Sequence, residues 1–221
     1  MPPIRPLRAI AAALMAVLFS SCAMMEHHAE QRRTSDERTS AWEAHQAWRS
    51  ESGWRANTYR NEDLLARATA ENASVEISLA EQRGFLLVDG GIALDFPVAT
   101  GRSSHPTPAG EFRILGKERN HSSNLYGKIV DSAGVVVVDN ADRRTDVVPE
   151  GAVFQGASMP CWMRLTDTGV GMHIGYVPGR PASHGCIRLR RQTATRLFDL
   201  LQVGSPVTIA DKAPAMESPA P

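Results

Sequence analysis

Residues 74–94 read SVEISLAEQRGFLLVDGGIAL, and this stretch decides the class of fold. Its first part alternates between apolar residues and polar or small ones, a period of two that is typical of a half-buried β-strand. The apolar positions are Val75, Ile77 and Leu79. The apolar run 85–88 is followed by Asp89-Gly90-Gly91 and then by a second apolar run. This pattern predicts a β-hairpin.

Short apolar segments continue after the hairpin, separated by turn residues. They cover residues 98–101, 110–115, 135–139, 162–165 and 170–174, and a last one covers 207–209. Near the C-terminus the period becomes helical, with apolar residues at i, i+3, i+4 and i+7 and a glycine C-cap. These residues are Ala194, Leu197, Phe198, Leu201 and Gly204. We predict a mainly β domain with one or two helices, built as a β-sandwich over residues 74–211.

The N-terminal region is typical of an exported protein. Residues 1–21 carry Arg5 and Arg8 before an apolar stretch that is too short to span a bilayer, and they predict a signal peptide. Small residues lead into Cys22, an order that resembles a bacterial lipobox. We therefore expect a lipid anchor on Cys22 and a membrane-anchored lipoprotein facing the periplasm or cell wall.

Two further segments flank the predicted domain. Residues 22–73 are polar and predict a spacer with a short helix at 61–72, for which Asn61 is the N-cap. Three tryptophans of this spacer could pack on the domain or on a membrane: Trp42, Trp48 and Trp54. Residues 212–221 are rich in Ala and Pro and predict a disordered tail.

The charge balance argues against a nucleic-acid partner. The chain has 24 basic and 24 acidic residues. Loss of the two arginines in residues 1–21 leaves 22 basic and 24 acidic residues, a net charge of −2. A nucleic-acid binder usually has a basic excess.

The side chains that could carry out a reaction lie near the end of the domain. Residues 183–189 read SHGCIRL, and His173 stands ten residues before Ser183. A cysteine attacks only as the thiolate, and a free thiol is mostly protonated at neutral pH. A neighbouring imidazole can take this proton, and a glycine lets a backbone N–H approach an oxyanion. The block therefore predicts a cysteine nucleophile assisted by histidine.

This block resembles the signature of the L,D-transpeptidase family, whose catalytic unit is the YkuD domain. The family pattern is a histidine, a spacer, Ser/Thr-His-Gly-Cys, an apolar residue and then Asn or Arg. The resemblance extends to residues 75–82, which are similar to the family's first strand. Residues 97–102 and 107–110 are similar to the stretch that leads into its Thr-Pro-x-Gly turn. It covers roughly residues 74–211.

The resemblance implies a role for each residue of the block. Cys186 is expected to be the nucleophile and His173 the general base and later acid. His184 is expected to orient the site, and Gly185 to supply, with Cys186, backbone N–H groups to the oxyanion. Ser183 and Arg188 are expected on the substrate-binding side, where the Ser183 hydroxyl bonds within the loop. The Arg188 guanidinium binds a substrate carboxylate or forms a structural ion pair.

The implied reaction is acyl transfer on a tetrapeptide stem of peptidoglycan, with no cofactor. The thiolate forms a thioester, D-alanine leaves, and an acceptor resolves the thioester. A stem amine gives a 3→3 crosslink, a protein lysine gives an anchored protein, and water gives L,D-carboxypeptidase activity. The sequence does not choose among these acceptors.

Other interpretations of the same residues remain open. A zinc site would use His105, His121 and the residues of the cysteine block, but these lack the usual short ligand spacing, so no metal is expected. A papain-like protease would place its cysteine before its histidine. A non-catalytic wall-binding lipoprotein would not need the thiol. Cys161 is expected to be a buried apolar residue, with a disulfide to Cys186 as the alternative. Residues 121–124 are expected in a cleft loop or in a solvated one.

Overall fold

The computed structural model describes residues 39–214 continuously, together with residues 24, 25, 29, 32, 35 and 36. The predicted signal peptide, the predicted lipidation site Cys22 and residues 215–221 of the tail lie outside the described residues. Within the described part of the chain, no helix is both long and apolar enough to cross a membrane.

The described residues form eleven strands, three α-helices and one 3₁₀ turn, Trp54–Ala56. The helices are α1 (described without a gap over 39–49), α2 (Glu62–Ala66) and α3 (Arg191–Leu200). The strands are β1 (Tyr59–Arg60), β2 (Ala73–Ser78), β3 (Arg83–Val88), β4 (Gly91–Ala99), β5 (Gly110–Arg113), β6 (Gly116–Val130), β7 (Val136–Asp142), β8 (Val153–Arg164), β9 (Gly171–Ile174), β10 (Ile187–Leu189) and β11 (Pro206–Ala210). The prediction of a mainly β domain with few helices is confirmed.

The strands follow the order β5-β11-β2-β3-β4-β10-β9-β8-β6-β7, and β1 pairs with β4 outside this path. The predicted hairpin is the antiparallel pair β3 and β4, joined at Asp89 and Gly90, both of which have positive φ. Strand β4 pairs with β3 on one side and β10 on the other, so it joins the two halves of the sheet. Strands β9 and β10 run parallel, and the catalytic candidates lie on these two strands and their loops.

The main core packs the two halves of the sheet and α3 together. It contains Val75 and Ile77 from β2, Met172 from β9, and Ile187 and Leu189 from β10. The helical period predicted for α3 is confirmed, since Ala194, Leu197 and Phe198 are buried in this core. The Lys117 ammonium donates to the carbonyls of Phe198 and Leu201 at the end of α3, where a cation is favoured by the helix dipole.

A second cluster lies where α1 packs on the sheet. Trp48 from α1 packs against Tyr59, Phe85, Leu87 and Ile92. The spacer predicted over 22–73 therefore differs from the structure from residue 39 onward, because this segment buries apolar side chains against the domain. Of the three tryptophans, Trp48 and Trp54 also contact each other, with ring centroids 6.0 Å apart.

The same interface buries a group of charged side chains around Asp95, which is fully buried. Asp95 accepts from Arg83 Nε at 2.6 Å and lies 2.8 Å from His45 Nε2. Arg83 also donates to the carbonyls of Arg55 and Asn57 at 2.9 and 3.1 Å. Buried charges are tolerated when they are paired and hydrogen-bonded, and here the N-terminal segment supplies part of that pairing.

Several local predictions need adjustment. The helix predicted at 61–72 is only Glu62–Ala66, although Asn61 is its N-cap and accepts from Leu64 N at 3.0 Å. Of the apolar segment at 98–101, Val98 and Ala99 form the end of β4. The predicted loop 121–124 lies within β6, a polar strand that pairs with β8. In the described start of the tail, Ala213 packs against the second cluster.

Candidate active site

The pairing of β9 with β10 brings the predicted nucleophile and base to one face of the sheet. Arg188 is the register partner of His173, and Ile187 is the partner of Met172. Side chains alternate along a strand, so Met172 and Ile187 enter the core while His173 and Arg188 face the other way. Cys186 immediately precedes β10, two residues before Arg188, and therefore shares that face.

His173 is buried and held in one tautomer. Its Nδ1 lies 2.8 Å from the carbonyl oxygen of Ile174, which can only accept, so Nδ1 carries the hydrogen. The lone pair is then on Nε2, the atom that a general base needs. Burial lowers the pKa of His173 from 6.5 to about 4, against the opposing effect of the Ile174 hydrogen bond. The imidazole is therefore neutral at pH 7.

Cys186 is a half-buried free thiol. Its Sγ lies 3.7 Å from the carbonyl oxygen of Gly169. Burial raises the pKa of the Cys186 thiol, and the Gly171 backbone hydrogen bond and the Arg188 charge offset only part of that effect. The resting pair is thus a thiol and a neutral imidazole. The thiol proton can move to the imidazole during attack on a carbonyl.

The loop that carries Cys186 is fixed by side chains at its base. The Ser183 hydroxyl donates to the Cys186 carbonyl and accepts from Gly185 N at 3.1 Å. Ser183 is only 1% exposed, and the hydrogen bonds expected within the loop are present. Its place on the substrate-binding side stays a prediction. In the free protein the Gly185 N–H donates to the Ser183 hydroxyl, and its contribution to an oxyanion site stays a prediction.

Thr107 completes this support. Its hydroxyl donates to the Gly185 carbonyl at 2.7 Å and accepts from Gly101 N at 2.8 Å. Gly185 has a φ of 113°, a value that L side chains rarely adopt. The Thr-Pro-x-Gly turn therefore reaches across the chain to hold the peptide before the nucleophile. The turn can be recognised from the sequence, but the hydrogen bond between Thr107 and Gly185 cannot.

His184 is fixed on the other side of the loop. Its ring stacks on Tyr126, with centroids 4.3 Å apart, and meets His105 edge-on at 5.0 Å. Arg102 Nη2 lies 2.7 Å from His184 Nε2. Because a guanidinium only donates, this nitrogen is the acceptor and its lone pair is occupied. Burial lowers the pKa of His184, with smaller contributions from Arg102, His105 and Arg188. This arrangement fits an orienting residue better than a base.

Arg188 is the half-buried cation closest in sequence to the thiol. Burial lowers its pKa, Cys186 opposes that effect, and Arg102 adds to it. Within the described residues, none of the ion pairs joins Arg188 to a carboxylate. The structural ion pair considered for Arg188 is therefore not formed with any described residue, and the guanidinium can receive an anion.

On the far side of His173 the row of side chains continues through Trp162. Trp162 is buried, and its ring lies 6.0 Å from that of His173. His121 stacks on Trp162 with centroids 5.0 Å apart and an 11° angle between the planes. Glu118 is the register partner of Trp162, and its Oε2 lies 2.8 Å from His121 Nδ1. The sequence left open a cleft position only for His121, in the segment 121–124. Glu118 and Trp162 were not assigned to the site, because β6 and β8 lie far from Cys186 along the chain.

The remaining candidates stay apart from this chemistry. Among the residues that the structure describes, no group of three or more His, Cys, Asp or Glu side chains could hold a metal ion. Cys161 is buried and free, with its Sγ 4.0 Å from Thr195 Oγ1. Its description as a buried apolar residue agrees with its place in the main core, and the disulfide with Cys186 is not formed.

The family of the chain follows from its match to a family model. The model of the YkuD L,D-transpeptidase catalytic domain matches residues 72–209, which include the whole Cys186 block and His173. The chain therefore belongs to this family.

The chain is also similar to individual L,D-transpeptidases. The chain is 30% identical over 121 residues to the probable L,D-transpeptidase 3 of Mycobacterium tuberculosis. The aligned residues cover 52% of this chain and 38% of that protein. The chain is 28% identical over 129 residues to L,D-transpeptidase 1 of the same organism, 55% of this chain and 43% of that protein. The solved L,D-transpeptidase from Mycobacterium smegmatis matches with a TM-score of 0.47 and 25% identity over 64% of this chain and 59% of that one. The matches thus span about two fifths of the curated relatives' length.

Proposed function

We propose that the protein is a peptidoglycan L,D-transpeptidase that acts on tetrapeptide stems through a thioester on Cys186. The observation that supports this most directly is the shared face of Cys186 and His173, with the His173 Nδ1 hydrogen committed to the Ile174 carbonyl. Nε2 is then the atom available to take the thiol proton. The family membership supplies the substrate class.

The first half-reaction forms the acyl-enzyme. The Cys186 sulfur attacks the carbonyl of the L-centre of the diamino acid while His173 Nε2 takes the thiol proton. The backbone N–H of Cys186 stabilises the developing oxyanion, and that of Gly185 joins it on release from the Ser183 hydroxyl. The C–N bond then breaks, and the proton passes from His173 to the amine of the leaving D-alanine. Arg188 binds a carboxylate of the stem.

The second half-reaction transfers the stem to an acceptor. An amine of a second stem gives a 3→3 crosslink, and a protein lysine gives an anchored protein. Cleavage before Cys22 and lipidation of its thiol would place the enzyme on the membrane facing the cell wall, as residues 1–22 indicate.

The test is incubation of the purified protein with disaccharide-tetrapeptide, followed by mass spectrometry of protein and products. We expect release of D-alanine, an acyl adduct on Cys186 and crosslinked dimers. All three should vanish in Cys186→Ala and persist in the matched control Cys161→Ser, which changes a free cysteine of the core. Tripeptide without dimers would identify water as the acceptor. An adduct that persists in Cys186→Ala would refute the assignment of the nucleophile.

A further inference from the structure

The site face of the sheet carries opposite charges at its two ends. A row of side chains crosses four strands, from Glu118 on β6 through Trp162 and His173 to Arg188 on β10. Arg102 adds a second cation at the Arg188 end, since it is close enough to lower the pKa of Arg188. Anionic ligand groups are therefore favoured near Cys186, and cationic groups are favoured near Glu118.

The acidic end holds a second imidazole with an available lone pair. The Glu118 carboxylate only accepts, so the hydrogen between it and His121 is on His121 Nδ1. In the neutral ring the lone pair is then on Nε2. The His121 side chain is 26% exposed and that of Glu118 is 61% exposed, so both can meet a ligand. Stacking on the buried Trp162 fixes the plane of the His121 ring.

This carboxylate–imidazole pair has no part in the acylation step derived above, where His173 serves as the base. Trp162 contacts both imidazoles, so the two bases share one wall of the site. They are also coupled electrostatically, because His121 contributes to the lowered pKa of His173. One base, His173, can take the proton of the Cys186 thiol during acylation. The other base, His121, can take a proton from the second substrate, the acceptor.

We propose that Glu118 and His121 form the subsite for the acceptor, and that this acceptor is a primary amine. The inference rests on the proposed function, because it concerns the fate of the thioester on Cys186. A primary amine of the lysine type has a pKa of about 10.4, so at pH 7.4 only about one molecule in a thousand is the free base. Glu118 attracts the ammonium, and His121 Nε2 removes its proton. Water carries no charge, so the carboxylate does not attract it by charge as it attracts an ammonium.

The step balances without another reactant. His121 takes one proton from the ammonium, and the free amine attacks the thioester carbonyl. The new C–N bond forms, the C–S bond breaks, and the Cys186 thiolate takes the second nitrogen proton through His173. The products are an amide, the free thiol and a proton on His121 that passes to solvent.

The test separates acylation from transfer in the purified full chain. The donor is disaccharide-tetrapeptide, and the acceptor probe is a disaccharide-tripeptide with a free side-chain amine, compared with its N-acetylated form. We expect His121→Gln to leave D-alanine release in the first turnover within about twofold of wild type. Transfer to the amine should fall about 10²-fold at pH 7.5, the effect of losing a general base. Glu118→Gln should weaken the apparent affinity for the amine. Lys128→Gln, an exposed charge change on the same strand, is the control and should alter neither step.

The pH dependence distinguishes a base from a structural residue. The titratable groups that face His121 are Glu118 on its own strand and His173 on β9. Transfer by His121→Gln should recover towards the wild-type rate as the pH approaches 10, because the amine then loses its proton without help. Unchanged transfer, or an equal loss of acylation and transfer, would overturn the inference and leave the proposed function intact. Absence of any acyl-enzyme in the wild type would instead overturn the proposed function.

Discussion

Replacement of His173 by glutamine should remove a pH-dependent loss of stability. The imidazole is 6% exposed, and burial lowers its pKa from 6.5 to about 4. The unfolded chain keeps the ordinary pKa, so between pH 6.5 and 4 it binds a proton that the folded protein does not bind. Stability is therefore complete above pH 6.5 and falls as the pH is lowered towards 4. Each pKa unit corresponds to about 1.4 kcal/mol, which gives a loss of about 3 kcal/mol in the free energy of unfolding.

The assay is urea unfolding followed by tryptophan fluorescence at pH 7, 6, 5 and 4. Wild type should lose about 3 kcal/mol more than His173→Gln between pH 7 and pH 4, because glutamine does not titrate. Met172→Leu, a volume-conserving change at the adjacent core position, should run parallel to wild type at every pH. Equal pH dependence in wild type and His173→Gln would refute the argument that the buried imidazole stays neutral.

Two further predictions concern the loop that carries the nucleophile. Thr107→Val keeps the shape of the side chain but leaves the buried Gly185 carbonyl and the Gly101 N–H without their hydrogen-bond partner. We expect the free energy of unfolding, measured in urea, to fall by about 1–3 kcal/mol and acylation to slow. Unchanged acylation would mean that the turn does not position the loop. In a background with Cys22→Ser and Cys161→Ser, alkylation of Cys186 by iodoacetamide should reach half of its maximum rate at a higher pH than for a free thiol. The reason is that burial raises the pKa of the Cys186 thiol. A midpoint below neutral pH would show a resting thiolate–imidazolium pair instead.

The structural features that depend only on neighbouring residues in the chain could be predicted from local sequence patterns. The alternation of Val75 and Ile77 places both in the main core, and the helical period around Leu197 gives the buried face of α3. The turn at Asp89-Gly90 marks the hairpin. These features follow from the periods of two and of 3.6 residues, which are visible without knowledge of the partner strands.

The rest of the site could not be predicted, because it depends on pairings that are distant in the sequence. Arg102 meets His184 across 82 residues, and Thr107 meets Gly185 across 78. Residues 121–124 of the polar strand β6 have no alternating apolar pattern, so their sequence predicts a loop. Its pairing with β8 is what brings His121 to Trp162.

The contacts of the N-terminal segment also show that the family match is shorter than the folded unit. The family model begins at residue 72, but α1 and the 3₁₀ turn supply part of the second cluster and of the environment of Asp95. A chain that starts at residue 72 would expose Phe85, Leu87 and Ile92. At about 1.5–3 kcal/mol for each large apolar side chain, the loss is roughly 5–9 kcal/mol.

This loss is comparable with the whole stability of a typical domain, about 5–15 kcal/mol. Truncation would also leave Asp95 without His45, and Arg83 without its two carbonyl acceptors. We therefore expect residues 72–221 to be largely unfolded by circular dichroism, and residues 39–221 to unfold cooperatively. A shorter chain with an unfolding midpoint near that of the longer one would show that the domain is stable without this segment. The comparison of the two chains also bears on activity, because Arg190, the N-cap residue of α3, donates to the Ala56 carbonyl at 2.7 Å. The N-terminal segment thus contacts the chain four residues after the nucleophile, and its removal should slow acylation even in the fraction of molecules that remain folded.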